Sequence, residues 1–247
     1  MARYWDLERI QKNCFFNEPM KSKNLSFVVV IPARSGSKGI INKNTTIING
    51  KKLIEYTFDV AKKSLDIKNV FLTTNDKKVI KLATKYHHIN ILLRNKNLCR
   101  SNSLMADVIY DALKIITNKV PDVANFILLQ PTSPQRTMKD IKNAIRLFKK
   151  NNNRNVISVS EPINHPNEMI SLTKKKPLQL IKRNKHMNRQ EYESFYFING
   201  SIFIGSIKKF LRTKKFFDDK SIFFKMDKKN SIDINDNFDK ILVKNFL

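Results

Sequence analysis

The chain has 247 residues, 41% of them hydrophobic, with 47 Lys and Arg against 21 Asp and Glu for a formal charge of +26. That length suits one α/β domain with a real core, and the composition is globular rather than disordered or fibrous. No apolar run is long enough to span a bilayer, and two cysteines, Cys14 and Cys99, cannot make a zinc site alone.

The charge raises the question of an acidic partner. Lysine and asparagine are spread over every segment, though, and no recognition-helix, zinc-finger or ribonucleoprotein signature accompanies them, so no nucleic-acid partner is expected. The start, "MARYWDLERIQKNCFF", carries charges where an export signal would be greasy. A cytoplasmic protein with free, reduced thiols and no membrane insertion is expected.

Residues 1–24 read as an N-terminal extension, in which Leu7, Ile10 and Cys14 stand at helical spacing near Trp5, the one tryptophan. From there one domain runs to residue 247. "FVVVI" is a buried strand, bounded by Pro32 and glycines. "LIEYTFDVAKKS" is helical, "NVFLTTN" a strand, "KKVIKLATKY" a helix and "INILLRN" a strand. "LMADVIYDALKIITN" places apolar residues on one helical face. "ANFILLQ" is a strand, and "TMKDIKNAIRLFKK" is a helix with Thr137 as its cap. "NVISVSE" follows as a strand.

Residues 162–200 turn polar and loop-rich, with short strands near "EMISLT" and "LQLIK"; they read as a small inserted lobe. "SFYFINGSIFIG" returns to the core, "SIKKFLR" is a helix, "SIFFKMD" a strand and "DNFDKILVKNFL" a closing helix. Strands alternating with helices imply an α/β, Rossmann-like fold: a mostly parallel sheet flanked by helices. In such sheets ligands sit beyond the carboxyl ends of the strands.

The loop "IPARSGSKGIINKN" follows the first strand at that edge. Gly36 and Gly39 permit close backbone approach, free N–H groups can form an anion nest, and Arg34, Lys38 and Lys43 add charge. This is a phosphate cradle, yet neither a Walker A sequence nor GxGxxG; a Gly/Ser turn carrying surface lysines has the same composition.

The same stretch resembles the N-terminal signature of the acylneuraminate cytidylyltransferases, the CMP-sialic acid synthetases. "LLQPTSPQRT", "NRQEYESFYFING" and "SIDI" resemble further segments of that family in the same order. The resemblance implies a nucleotide-diphospho-sugar transferase type of fold and a homodimer through the inserted lobe. It implies transfer of CMP from CTP to a nine-carbon 2-keto sugar acid, with Mg²⁺ as cofactor and pyrophosphate released.

It also implies site residues. Arg34, Ser37, Lys38, Lys43 and Asn44 would hold the CTP phosphates and ribose, Arg94 and Ser103 its base or sugar, and Gln130 a place between base and sugar acid. Arg189, Asn199, Phe216 and Phe217 would meet the sugar acid. Asp233 would bind the metal with Asn235, and Arg34, Lys38, Arg189 and Asp233 would carry the catalysis. Arg136 is read as packing on the following helix, and the four histidines as structural or solvated.

The sequence departs from the family pattern at Asn235 for a second aspartate, at Asn75 for an aspartate, at Asn95 for a proline, at Ser101 and Asn102 for an Asp-Thr pair, and at Phe203 for tyrosine. Those changes keep alive a second reading, a paralogue that binds CTP without turnover; behind it stands a third, a basic nucleic-acid-binding protein.

Overall fold

The computed structural model describes residues 26–37, 39–62, 67–172, 177–179, 190 and 192–247. The N-terminal extension, Lys38, Arg189 and most of 173–191 therefore lie outside the described residues.

Strand β1 (Phe27–Ala33) is buried along its whole length, which is why it reads as an unbroken apolar run rather than an alternation. A hairpin of β2 (Ile47–Ile48) and β3 (Lys51–Lys52) follows, then helix α1 (Leu53–Lys62), β4 (Ile67–Thr74), α2 (Lys77–Ala83), β5 (Ile89–Leu93), α3 (Met105–Lys119) and β6 (Asn125–Leu129). Next come α4 (Met138–Lys150), β7 (Val156–Ser160), the ribbon β8 (Ile170–Leu172) and β9 (Pro177–Gln179), β10 (Phe197–Ser206), α5 (Ile207–Thr213), β11 (Ile222–Lys225) and α6 (Asn237–Phe246).

Seven strands form one sheet in the order β11-β7-β10-β6-β1-β4-β5. β1 runs parallel to β4 and β6, β4 to β5, and β7 to β11, while β10 is antiparallel to both neighbours. The sheet is thus mostly parallel, as expected, with one antiparallel returning strand. Alternate residues of β1 feed two cores. Val29 and Ile31 meet α1, α2 and α4 through Phe58, Leu82 and Phe148; Val28 and Val30 meet α3 and α5 through Leu113 and Phe210. Helices on both faces make three layers.

Four helices start on side-chain caps, α5 on Ser206 among them. Thr137 opens α4 in a reciprocal box with Asp140, Asp76 caps α2, and Asp236 opens α6 with Asp239. The β2–β3 turn is Asn49-Gly50, with φ of 45° and 78°, the paired left-handed geometry of a tight hairpin. A third apolar cluster, Ile40, Ile48, Leu53, Ile234 and Val243, ties this hairpin and α6 under the loop after β1. Among the described residues no helix is long and apolar enough to cross a membrane.

Candidate active site

Three loops meet at the carboxyl edge of the sheet: 34–44 after β1, 130–136 after β6, and 231–235 before α6. Each join ends on a backbone carbonyl. Lys43 Nζ donates to the Ile234 carbonyl at 2.7 Å, and the Ile234 N–H donates to the Thr132 carbonyl at 2.8 Å. Gly39 passes so close to Asn235 that any Cβ there would strike the Asn235 carbonyl oxygen. Asn44, buried, donates from Nδ2 to the Arg34 carbonyl at 3.1 Å and so holds the near end of the first loop.

The loop is further held by Asn75 at the end of β4, whose Oδ1 accepts the Ser35 N–H at 3.0 Å while its Nδ2 donates to Ser35 Oγ at 2.8 Å. The Arg34 guanidinium folds back onto the loop, donating to the Gly36 carbonyl at 2.7 Å and the Ser35 carbonyl at 3.3 Å. Gly36 has φ of 70°, the left-handed turn this fold-back needs.

Beside it stands Arg94, just past β5 and only 8% exposed. Its Nη2 donates to the Thr73 carbonyl at 2.9 Å, but Nε is buried with no partner. Burial pushes its pKa down to about 10, with the nearby Arg34 charge adding to the effect and Cys99 opposing it. A desolvated cation with no carboxylate against it suits an anionic ligand.

Asp233 brings the opposite charge. Burial raises its pKa above the ordinary carboxylate value, with Thr132, Asn235 and Lys43 pulling it back down. Oδ2 accepts from Asn235 Nδ2 at 3.1 Å, whereas Oδ1 is buried and meets no donor in hydrogen-bond geometry, although the Thr132 side chain lies near. Lys43, half-buried, has its pKa lowered by burial and partly restored by Asp233. Among the described residues no group of three His, Cys, Asp or Glu converges. One carboxylate with an orphaned oxygen nevertheless fits a divalent cation whose remaining ligands are phosphate oxygens and water.

A sequence profile of the Cytidylyltransferase family matches residues 28–242. The chain belongs to that family. It is 33% identical over 219 residues to an N-acylneuraminate cytidylyltransferase of Streptococcus agalactiae, covering 87% of this chain and 52% of that protein. An N-acylneuraminate cytidylyltransferase of Escherichia coli is 34% identical over 86% of this chain and 50% of its own length. The chain thus spans about half the length of these relatives. A CMP-N,N'-diacetyllegionaminic acid synthase of Legionella pneumophila is 29% identical, covering 79% and 84%. Among solved structures, CMP:2-keto-3-deoxy-manno-octonic acid synthetase complexed with CTP matches at a TM-score of 0.66 and 12% identity, covering 89% of this chain and 97% of that one. A 4-diphosphocytidyl-2C-methyl-D-erythritol synthase from Anaerococcus prevotii also scores 0.66, at 15% identity over 90% and 96%. At such identities these structures speak for the fold alone.

Set in the frame of this cytidylyltransferase-family fold, Arg34, Ser37, Lys43, Asn44, Arg94, Gln130, Asp233 and Asn235 all lie at the carboxyl edge. Ser103 is in the loop after β5, its Oγ donating to the Asn97 carbonyl at 3.4 Å. Gln130 rests its amide against Gly200, which has φ of 72°. Lys38 and Arg189 lie outside the described residues.

Asn199 lies at the start of β10, near the carboxyl ends of β6 and β7 and next to Gly200. It is 2% exposed inside β10, its Oδ1 accepting from Ser158 Oγ and the Ser201 N–H and its Nδ2 donating to Ser160 Oγ. These bonds bridge the register shift between Ile198 and Phe203. Phe216 and Phe217 stand at the other edge of the sheet. The Phe216 carbonyl accepts from Asn155, which precedes β7, and its ring packs on Phe203 and Phe210 in the core; Phe217, next in the chain, is 48% exposed.

Arg136 is structural, as read from the sequence. It is buried, donating to the Gln130 and Ser201 carbonyls and to Thr57 Oγ1, with its pKa pushed down to about 9 by burial. Sequence reasoning missed Ser35 and Thr132. Both lie inside the quoted motifs but carry no charge, and only the packing of neighbouring loops reveals them.

Proposed function

We propose that this chain transfers CMP from CTP to a 2-keto nonulosonic, sialic-type sugar acid and releases pyrophosphate. The observation that carries the reading is a cation-rich loop held at the carboxyl edge against a single carboxylate with a free buried oxygen, Asp233. The named relatives point the same way: two act on N-acylneuraminate and one makes CMP-N,N'-diacetyllegionaminic acid.

In the proposed reaction the anomeric hydroxyl oxygen of the sugar acid bonds to the α-phosphorus of CTP. The bond from that phosphorus to the bridging oxygen breaks, its electron pair leaves on pyrophosphate, and the hydroxyl proton is released. Negative charge accumulates at the leaving end, where fixed cations lower the barrier. Arg34, Lys38 and Lys43 are assigned there, with Ser37 and the loop amides. Arg94, Ser103 and Asn44 are assigned to the nucleoside side, Gln130 to the boundary between nucleotide and sugar acid, and Arg189 to the sugar carboxylate, for its two-pronged fork.

Asp233 would hold a Mg²⁺ ion, with Asn235 steering the carboxylate. When bound, the ion would neutralise phosphate charge. A homodimer is part of the proposal, supported by the exposed apolar side chains Ile163, Ile170, Phe197 and Ile198 around the lobe. Light scattering reads it directly.

The test is a panel of nine-carbon keto-sugar acids incubated with CTP and Mg²⁺, with pyrophosphate release and product mass followed. CMP-sugar product supports the reading. CTP binding without product for any acid favours the paralogue without turnover, to which the neutral Asn235 lends weight.

A further inference from the structure

Resting on that nucleotide reading, the geometry points to Ser35 as a further phosphate-binding residue, its hydroxyl proton turned toward the ligand by the side chain of Asn75. The orientation of the Asn75 amide is fixed by its partners. The backbone N–H of Ser35 can only donate, so the Asn75 atom 3.0 Å from it is the oxygen. The other end of the amide is then the NH₂ group, and it donates to Ser35 Oγ at 2.8 Å. The hydroxyl oxygen is thereby occupied as an acceptor. Its own proton goes elsewhere, and among the described residues no acceptor takes it.

Ser35 is half-buried at the point where β1 and β4 end side by side, paired through Ala33 and Thr74. Around it the carbonyls of residues 34, 35 and 36 are already taken by Asn44 and by the Arg34 guanidinium. With those acceptors occupied, the loop offers outward mainly donors and positive charge, the complement of a phosphate oxygen. An aspartate at position 75 would hold the same N–H but would draw the Ser35 proton onto its own carboxylate and place a negative charge beside the cradle. The neutral amide does neither. Asn75 is therefore a positioning residue, and Ser35 the group that meets the ligand.

The experiment compares the full chain with Ser35→Ala and Asn75→Asp. Binding of CTP with Mg²⁺, and separately of inorganic pyrophosphate, is titrated calorimetrically, and amide exchange at residue 35 is followed by NMR. Ser35→Ala should weaken both probes about tenfold, the loss of one hydrogen bond to a charged group, while the amide at 35 stays slow because Asn75 Oδ1 still holds it. Asn75→Asp should keep the slow amide and weaken binding at least as much, with kcat changed less than KM for CTP. Unchanged affinity in Ser35→Ala, with the parent chain binding normally, overturns the inference and leaves the nucleotide reading standing. A fast amide at 35 in the parent chain overturns the Asn75 clamp. If the parent binds neither probe, the nucleotide reading fails and this inference falls with it.

Discussion

Replacing Asp233 by asparagine should make the protein more stable and, on the proposed function, inactive. Burial raises the pKa of this carboxyl above its ordinary 3.8 despite Lys43 and Asn235, so the charged form is less comfortable in the folded chain than in the unfolded one. The folded state then binds more proton between 3.8 and the raised value, and stability falls as pH rises through that window. At neutral pH the full burden is present. A buried acceptor without a partner costs roughly 1–3 kcal/mol, and the lower end applies because the residue is only half-buried. The neutral isostere should therefore gain about 1 kcal/mol, or about 2–4 °C in Tm for a domain of this size. The gain should shrink as pH falls toward 3.8, where the native carboxyl is itself neutral. CTP with Mg²⁺ should stabilise the parent chain by about 2.7 kcal/mol at a hundred times Kd and so raise its Tm, and should stabilise the variant nearly as much, because the basic loop is intact. Calorimetry at neutral and acid pH, beside a pyrophosphate-release assay, reads all of this. A variant that melts below the parent without ligand would show that Asp233 is a structural anion paired with Lys43, and retained turnover would remove it from the metal site.

Gly39→Ala should displace the loop before α6, because its Cβ meets the Asn235 carbonyl, a backbone atom that cannot swing aside; a loss of roughly 1–3 kcal/mol in urea unfolding, with at least tenfold weaker turnover, is expected. Arg136→Met strands the Gln130 and Ser201 carbonyls and Thr57, so denaturant midpoints should fall by the equivalent of about 2–4 kcal/mol, and an unchanged midpoint would refute the keystone role. Asn235→Asp turns an amide that now donates to Asp233 into a second carboxylate. Its half-saturating Mg²⁺ concentration should drop in the pyrophosphate assay, and a curve identical to the parent's would place the metal elsewhere.

The layers of the fold were legible because each strand carries its own signal: a short β-branched run closed by glycine, proline or asparagine. What pairs with what was not. β10 has the same apolar look as its parallel neighbours, and its reversal depends on where the chain re-enters after the lobe. The setting of Asn199 was hidden for a related reason. A motif gives the residue type, while the register shift between Ile198 and Phe203 decides which way the side chain turns. The position of Phe216 and Phe217 was hidden because two adjacent aromatics match a pattern equally well at either edge of a sheet. The β2–β3 hairpin was overlooked despite Asn49-Gly50, since strands of two residues show no alternation to notice.

The electrostatics of the site follow from amides standing where carboxylates would otherwise serve. Asn44 and Asn75 hold the loop after β1, and Asn235 steers Asp233, each by hydrogen bonds that bring no charge. An amide can donate and accept at once, so two of them suspend a loop that carboxylates could grip only through its N–H groups. The consequence is an edge on which Arg34, Lys43 and Arg94 face Asp233, with Asp236 and Asp239 at the start of α6 behind it. Such an edge attracts a polyphosphate without a bound cation to neutralise it first. On the proposed function, nucleotide affinity should therefore depend weakly on Mg²⁺ while turnover depends on it strongly, and it is Asp233, rather than the basic loop, that limits the rate.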